Sequence, residues 1–100
     1  MANVKLSLLA RLEAKPGKEA EVEKLLRGAL AIVQDEPGTI QWFALRMGTS
    51  TFGIFDSFND EAGRNAHLNG RVAATLMAHA DDLLAKPPVL EKREILEAKI

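Results

Sequence analysis

The chain has 100 residues, of which 47% are hydrophobic and 27% charged, and its formal net charge is −1. This composition is typical of a folded globular domain and excludes a disordered chain. The two signs of charge are interspersed, which excludes the basic clusters that nucleic-acid binding requires, so no nucleic-acid partner is expected. The length predicts a single domain over residues 1–100.

The chain contains no cysteine, which excludes disulfides, thiolate metal sites and cysteine nucleophiles. No apolar run is long enough to cross a bilayer, and residues 1–5 lack the pattern of a signal peptide. We therefore expect a complete cytoplasmic protein that has no membrane partner.

The first half of the chain is predicted to form a strand, a helix and a hairpin. Residues 4–14 alternate in polarity, as a half-buried strand does, and residues 18–36 place their apolar side chains on one helical stripe. Pro37-Gly38 is expected to end that helix. Two further strands are predicted over 39–47 and 51–58, and the link between them is short enough for a hairpin.

The second half begins where the third strand leads directly into a short helix. Asn59 or Asp60 is the candidate N-cap of this helix, and Gly70 is expected to stop it. A third helix over 71–85 and a last strand over 89–99 follow, and the two prolines before that strand favour the sheet edge. This order predicts an α+β domain with the ferredoxin-like split βαβ arrangement, a four-stranded antiparallel sheet with helices on one face.

The central strands are apolar on both faces. Alternation places Trp42 and Phe52 on one face and Phe43 and Phe55 on the other, yet helices can cover only one side of the sheet. A single chain would expose a large apolar patch, which soluble proteins seldom do. We therefore expect a homodimer in which the uncovered sheet faces pack together around a two-fold axis. The alternative is that the charged last strand tilts across the patch and shields it.

No motif in the chain has the specificity of a metal, phosphate or nucleotide site. His67 and His79 lack the HxxxH spacing of a zinc helix, and the glycines form neither GxGxxG nor a P-loop. His67 is the best-placed titratable group, because it lies late in a short helix beside an apolar sheet and could act there as a general base. The alternative for His67 is a partly buried histidine that bonds a backbone carbonyl. His79 is expected to be a surface residue or to pack against a helix.

Three further side chains could contact a small ligand. Trp42 is a candidate wall for a pocket that holds a flat molecule, although a lone tryptophan in a central strand is more often part of a core or an interface. Arg46, on the same face, could hold an anionic oxygen or form a salt bridge at the rim. Asn65 could donate to a ligand carbonyl or lie exposed on its helix.

Two parts of the chain resemble the antibiotic biosynthesis monooxygenase family. One is Lys15-Pro16-Gly17 followed by an acidic amphipathic helix and Glu36-Pro37-Gly38, and the other is the segment from Phe52 to Leu68, which ends in Ala66-His67-Leu68. The resemblance covers nearly the whole chain. It implies a dimeric α+β barrel, in which two ferredoxin-like sheets face each other, and hence a homodimer.

The resemblance also implies a reaction and a site. Some members of the family are monooxygenases without a cofactor that act on electron-rich aromatic molecules of the quinol or anthrone type, because the deprotonated substrate itself passes electrons to O₂. No metal or flavin is then expected. The residues that the resemblance assigns are His67 as the base, Trp42, Phe52 and Phe55 as cavity walls, and Arg46 or Asn65 as donors to a developing oxyanion.

The chain also departs from the family pattern. It has no tyrosine, so a phenol hydroxyl cannot take part in the reaction. Trp42 lies on a strand rather than beside the histidine helix, so the haem binding of the related haem-degrading branch is not expected. Alternation prevents Phe52 and Phe55 from facing the same side. Two alternatives stay open: an isomerase of a small enolisable metabolite, and a non-catalytic dimeric module that binds a small apolar ligand.

Overall fold

The computed structural model describes residues 4–100, so residues 1–3, part of the segment without a signal-peptide pattern, lie outside the described residues. The strands and helices are β1 (Leu6–Glu13), α1 (Glu19–Val33), β2 (Thr39–Arg46), β3 (Thr51–Phe58), α2 (Glu61–Leu68), α3 (Arg71–Leu83) and β4 (Val89–Glu94). None of the helices in this described part is long and apolar enough to cross a membrane.

The four strands form one open antiparallel sheet in the order β2-β3-β1-β4. This is the ferredoxin-like order that the sequence predicts, and it places β4 at an edge, next to Pro87 and Pro88. The helices cover one face of the sheet. Alternation along the strands then decides which side chains enter the core.

The core lies between the sheet and the helices. Phe52 and Leu12 are directly opposite each other on β3 and β1, and both are almost completely buried. Val22 and Leu26 of α1 pack against them from the helical side of the sheet. Each such side chain contributes about 1.5–3 kcal/mol through burial. This apolar layer fixes the distance between sheet and helices.

Helix α1 ends at Val33, three residues before the predicted end. Its last turn tightens, because the Asp35 N–H donates to the Ile32 carbonyl at 3.1 Å and the Glu36 N–H donates to the Val33 carbonyl at 2.9 Å, each three residues back. Glu36 therefore belongs to a turn rather than to the helix. Its side chain can reach α2 from this turn.

Other element ends also differ from the sequence predictions. Strand β4 stops at Glu94 rather than at residue 99, because its partner β1 begins at Leu6, directly opposite Glu94. Helix α3 ends at Leu83 rather than at 85, because Leu84 is extended and bridges Ala14. The sequence predicts Gly70 to be the C-terminal stop of α2, a position where glycine usually adopts a left-handed conformation. Gly70 is instead the N-cap of α3, with φ −93°.

Helix α2 is held at its first turn by a cap and by a close backbone contact. Asp60 is the N-cap, and its side chain accepts a hydrogen bond from the Gly63 N–H at 2.9 Å. Gly63 faces Gly38 so closely that a Cβ at position 63 would lie 2.8 Å from the Gly38 carbonyl oxygen. Only glycine permits this approach, which seats α2 against the turn that carries Glu36.

The opposite face of the sheet is uncovered and carries an apolar patch. Phe43 is 48% exposed and stacks on Phe55, with ring centroids 6.4 Å apart. Leu45 and Met47 extend the patch. β4 pairs with β1 at the far edge from β2, so the alternative in which the charged strand shields the patch is wrong. In a single chain this patch faces solvent.

Candidate functional site

The site centres on His67, whose imidazole is buried between two carboxylates. Its Nδ1 lies 2.6 Å from Glu36 Oε1, and its Nε2 lies 2.9 Å from Asp56 Oδ2. Thr39 donates its hydroxyl to the same Glu36 oxygen at 2.8 Å. The expected alternative, a histidine bonded to a backbone carbonyl, is not what the structure shows. We call Glu36, His67 and Asp56 the acid–base cluster.

The two carboxylates control the charge of the imidazole. Burial lowers the pKa of His67, but the contacts with Asp56 and Glu36 outweigh burial and raise that pKa from 6.5 to about 8. At neutral pH the imidazole is therefore protonated. Burial also raises the pKa of Asp56 above its ordinary value, because the nearby histidine offsets only part of the desolvation.

Asp56 is the most deeply buried member of the acid–base cluster. It is 1% exposed and lies on the helix-facing side of β3. Its Oδ1 has no hydrogen-bond partner within residues 4–100. Buried carboxylate oxygens are normally paired, so an open one indicates a functional role. No group of three or more His, Asp or Glu side chains in this part of the chain could hold a metal ion.

Asp56 and His67 both line a cavity of about 230 Å³ between the sheet and helices α2 and α3. The other side chains around the cavity are apolar, among them Leu8, Ile54, Val72, Leu76 and Leu90. A crevice of about 220 Å³ lies on the other side of His67 and is lined by Glu36, Thr39 and Arg71. The acid–base cluster therefore lies between an inner cavity and an outer crevice.

Arg64, one turn before His67, ties α2 to the sheet. Its Nη1 donates to the Ser7 carbonyl at 3.1 Å and to the Arg93 carbonyl at 3.4 Å. Its Nη2 lies 2.9 Å from Glu61. Arg64 is buried, so these bonds replace the water that a guanidinium would otherwise keep. They hold the helix that presents His67.

Trp42 does not line the cavity. It lies opposite Asp56 on the neighbouring strand β2. It is half-buried and packs against core residues of the sheet and of helices α1 and α3. Its Nε1 is buried and has no hydrogen-bond partner among the described residues. His79 is exposed, as the sequence predicts.

The remaining predicted site residues lie apart from His67. Arg46 pairs with Glu23 and lies over the Phe52 ring, 4.8 Å from its centroid. Phe55 is on the uncovered face, so the opposite orientations of Phe52 and Phe55 are as predicted. Asn65 is exposed on α2. Of the six predicted site residues, the structure places only His67 at the cavity.

Sequence reasoning missed the two carboxylates that flank His67. One signal for Asp56 was available: it alternates with Phe52, Ile54 and Phe58, so it is a charged residue at a core-facing strand position. Glu36 gave no such signal, because the sequence predicts it to be the last residue of α1. Its role depends on the tightened turn that ends the helix at Val33.

Comparisons with known proteins agree with this architecture. Residues 6–79 match the model of the family described as antibiotic biosynthesis monooxygenase. A protein of unknown function from Nitrosomonas europaea is 58% identical, with a TM-score of 0.96, and the match covers 97% of this chain and 94% of that one. The comparison with curated proteins found no match.

More distant solved structures share the fold. A candidate antibiotic biosynthesis monooxygenase from Caulobacter crescentus is 23% identical with a TM-score of 0.80, and the match covers 94% of this chain and 92% of that one. A second candidate of that name, from Nitrosomonas europaea, is 16% identical with a TM-score of 0.81, and the match covers 92% and 99%. By its fold and its family match, the chain belongs to the antibiotic biosynthesis monooxygenase family.

Proposed function

We propose that this protein is a monooxygenase without a cofactor that acts in the cytoplasm on a small electron-rich phenol or enol of the quinol or anthrone type. The observation that carries the proposal is the acid–base cluster at the wall of an apolar cavity. An apolar cavity with a few convergent polar groups is the usual form of a small-molecule site. The family match supports the reaction class.

The chemistry needs little from the protein besides proton control. Once its hydroxyl is deprotonated, an electron-rich substrate can pass electrons directly to O₂, so the substrate takes the place of a flavin or metal. For a phenol with a hydrogen at its para carbon, phenol and O₂ give quinone and water. The substrate supplies all four electrons, one oxygen atom enters the ring and the other leaves as water. A buried base and a nearby cation both favour the first deprotonation.

The proposal includes a homodimer. The patch around Phe43 and Phe55 is apolar, contiguous and left uncovered by the helices. A second copy packed on it through a two-fold axis would form the dimeric α+β barrel that the family resemblance implies. Each protomer keeps its own cavity on the helical side of the sheet.

A non-catalytic module that binds a small apolar ligand is the second candidate. One observation favours it: both ring nitrogens of His67 face carboxylates, as in a purely structural ion-pair network. Oxygen uptake distinguishes the two functions. The enzyme consumes O₂ in the presence of a substrate, whereas the module only binds it.

The test is an oxygen-electrode assay with hydroquinones, naphthols and anthrone. We expect uptake with at least one compound, and a loss of about 100-fold or more in His67→Gln. His79→Gln is the matched control, because His79 is exposed and far from the cavity lining. Equal rates in wild type and His67→Gln would remove His67 from the mechanism. Absence of uptake with every compound would favour the module.

A further inference from the structure

The protonated state of His67 limits what this residue can do to a substrate. Its Nδ1 faces Glu36 at 2.6 Å and its Nε2 faces Asp56 at 2.9 Å. With both nitrogens protonated, each nitrogen carries a hydrogen and lies beside a carboxylate oxygen, so no lone pair is left for a substrate proton. The imidazolium is a donor and a positive charge in this arrangement.

Asp56 has the acceptor that His67 lacks. Neither of its carboxylate oxygens has a hydrogen-bond partner among residues 4–100; Oδ2 lies 2.9 Å from Nε2 of the imidazolium in an ion pair, and Oδ1 has no such neighbour. Asp56 is 1% exposed and lines the cavity, so its carboxylate is shielded from bulk solvent at the wall of this space. Asp56 and His67 are the only polar side chains among the described residues that line this cavity.

The size of the cavity limits the ligand. Its volume is about 230 Å³. An apolar cavity of about 150 Å³ holds benzene, and sites for drug-sized ligands begin at about 300 Å³. The space therefore suits a molecule of one or two rings.

We propose that Asp56 is the group that accepts the substrate proton and that the substrate is a phenol of one or two rings; this inference rests on the proposed function. The phenol O–H bond breaks, its electron pair stays on the phenolate oxygen, and the proton bonds to Asp56 Oδ1. The protein neither gains nor loses an electron. The His67 imidazolium beside the carboxylate stabilises the phenolate charge, which strengthens as the proton leaves.

Glu36 acts through His67 and is a positioning residue. It holds Nδ1 at 2.6 Å, is itself fixed by Thr39, and keeps the imidazole protonated and oriented toward Asp56. The other charged side chains near the cluster are Asp35 and Arg71, which line the outer crevice, and Arg64 on α2. Deprotonation of His67 would remove the positive charge that faces Asp56.

A pair of ligands tests the proton acceptor without any turnover. 2-Naphthol carries a hydroxyl donor, and 2-methoxynaphthalene has the same rings without it. We expect wild type at about pH 7 to bind the naphthol about ten- to a hundredfold more tightly by calorimetry, because a hydrogen bond to a charged acceptor is lost in the ether. A site built for a hydroxyl rejects the analogue that lacks it.

The pH dependence of this preference identifies the acceptor in the wild-type protein itself. If Asp56 is the acceptor, the preference is already present below about pH 8, and it falls as the pH is lowered and Asp56 takes up a proton. If neutral His67 were the acceptor, the preference would appear only as the pH rises through about 8. The second pattern would overturn the inference.

Variants give an independent test. Asp56→Asn is expected to reduce the preference to about twofold or less, while Asp82→Asn, at an exposed carboxylate on α3, keeps it. Glu36→Gln is expected to lower the pKa of His67, measured by NMR, and to move the alkaline limb of kcat/KM to lower pH. The preference for the hydroxyl is expected to be kept at about pH 7. Retention of the preference in Asp56→Asn together with its loss in His67→Gln would overturn the inference. If Asp56→Asn does not fold, as judged by circular dichroism, the wild-type titration decides.

The same experiments separate this inference from the proposed function. Binding that prefers the hydroxyl and loses this preference as the pH is lowered, but that occurs without oxygen uptake, would refute the monooxygenase and support the role of Asp56. Oxygen uptake whose kcat/KM rises through about pH 8 would support the monooxygenase and refute Asp56 as the base. Anthrone binding as tight as that of 2-naphthol would refute the limit of two rings.

Discussion

Truncation of Phe43 to alanine is the sharpest test of the dimer. Phe43 is 48% exposed at the centre of the uncovered patch, where it stacks on Phe55. A phenylalanine side chain carries about 200 Å² of surface, so about 100 Å² of it is left for a partner to cover. At about 25 cal/mol per Å², covering that area stabilises the dimer by about 2.5 kcal/mol per protomer.

The symmetry of the dimer doubles this effect. The substitution is present in both copies, and alanine keeps only a small part of the apolar area, so the total loss is about 4 kcal/mol. The dimer dissociation constant is then expected to rise close to a thousandfold. Because the other half of the ring is buried in the single chain, where it stacks on Phe55, the stability of the protomer is expected to fall as well.

Sedimentation velocity over a concentration series measures this constant. Leu30→Ala is the matched control, because Leu30 is 47% exposed but lies on α1, on the opposite side of the protomer. We expect wild type and Leu30→Ala to sediment as dimers at micromolar concentration and Phe43→Ala to dissociate. A wild type that sediments as a single chain, or equal shifts in the two variants, would refute the packing of sheet on sheet.

Three further predictions concern stability. The pKa of His67 is raised from 6.5 to about 8, so its charge contributes about 2 kcal/mol that is complete below about pH 6.5 and is lost as the pH rises through about 8. Urea unfolding at about pH 6 and 9 should show this loss in wild type and not in His67→Gln. Arg64→Met is expected to cost about 1–3 kcal/mol, because it removes the buried donor to the Ser7 carbonyl, whereas Arg27→Met, at an exposed position, should cost under about 0.5 kcal/mol in the same assay. Gly63→Ala is expected to lower the thermal midpoint, because its Cβ would lie 2.8 Å from a backbone oxygen, while Gly28→Ala, with open space around it in α1, should raise it. A rise in both glycine variants would contradict the close contact of α2.

The order of the elements could be predicted because the pattern is local. Alternation over residues 51–58 predicts β3 with the bounds that the structure has, and Asp60 is confirmed as the N-cap of α2. Element ends were harder, because they depend on partners elsewhere in the chain. β4 stops opposite the first residue of β1, and α1 ends in a tightened turn that residues 34–36 alone do not predict.

The candidate site could be predicted only in part, because its members come from three elements. The position of His67 on a short helix beside the sheet follows from local sequence. Its contacts with Glu36 and Asp56 do not, since they require α2 to be seated against the turn after α1 and over the middle of β3. Trp42 shares a sheet face with Asp56, yet the helices pack so that it enters the apolar core instead of the cavity.

The composition of α2 argues that this helix serves the site more than the core. Its two buried side chains are Arg64 and His67, although burying two ionisable groups adds little to stability and requires partners for each. The helix is seated instead by its Asp60 cap, by the contact between Gly63 and Gly38, and by bonds from Arg64 to strand carbonyls. An apolar face would anchor an eight-residue helix at lower cost. That the chain uses charged groups here, with His67 between Glu36 and Asp56 and Arg64 bound to strand carbonyls, is what an acid–base role for the cluster would require.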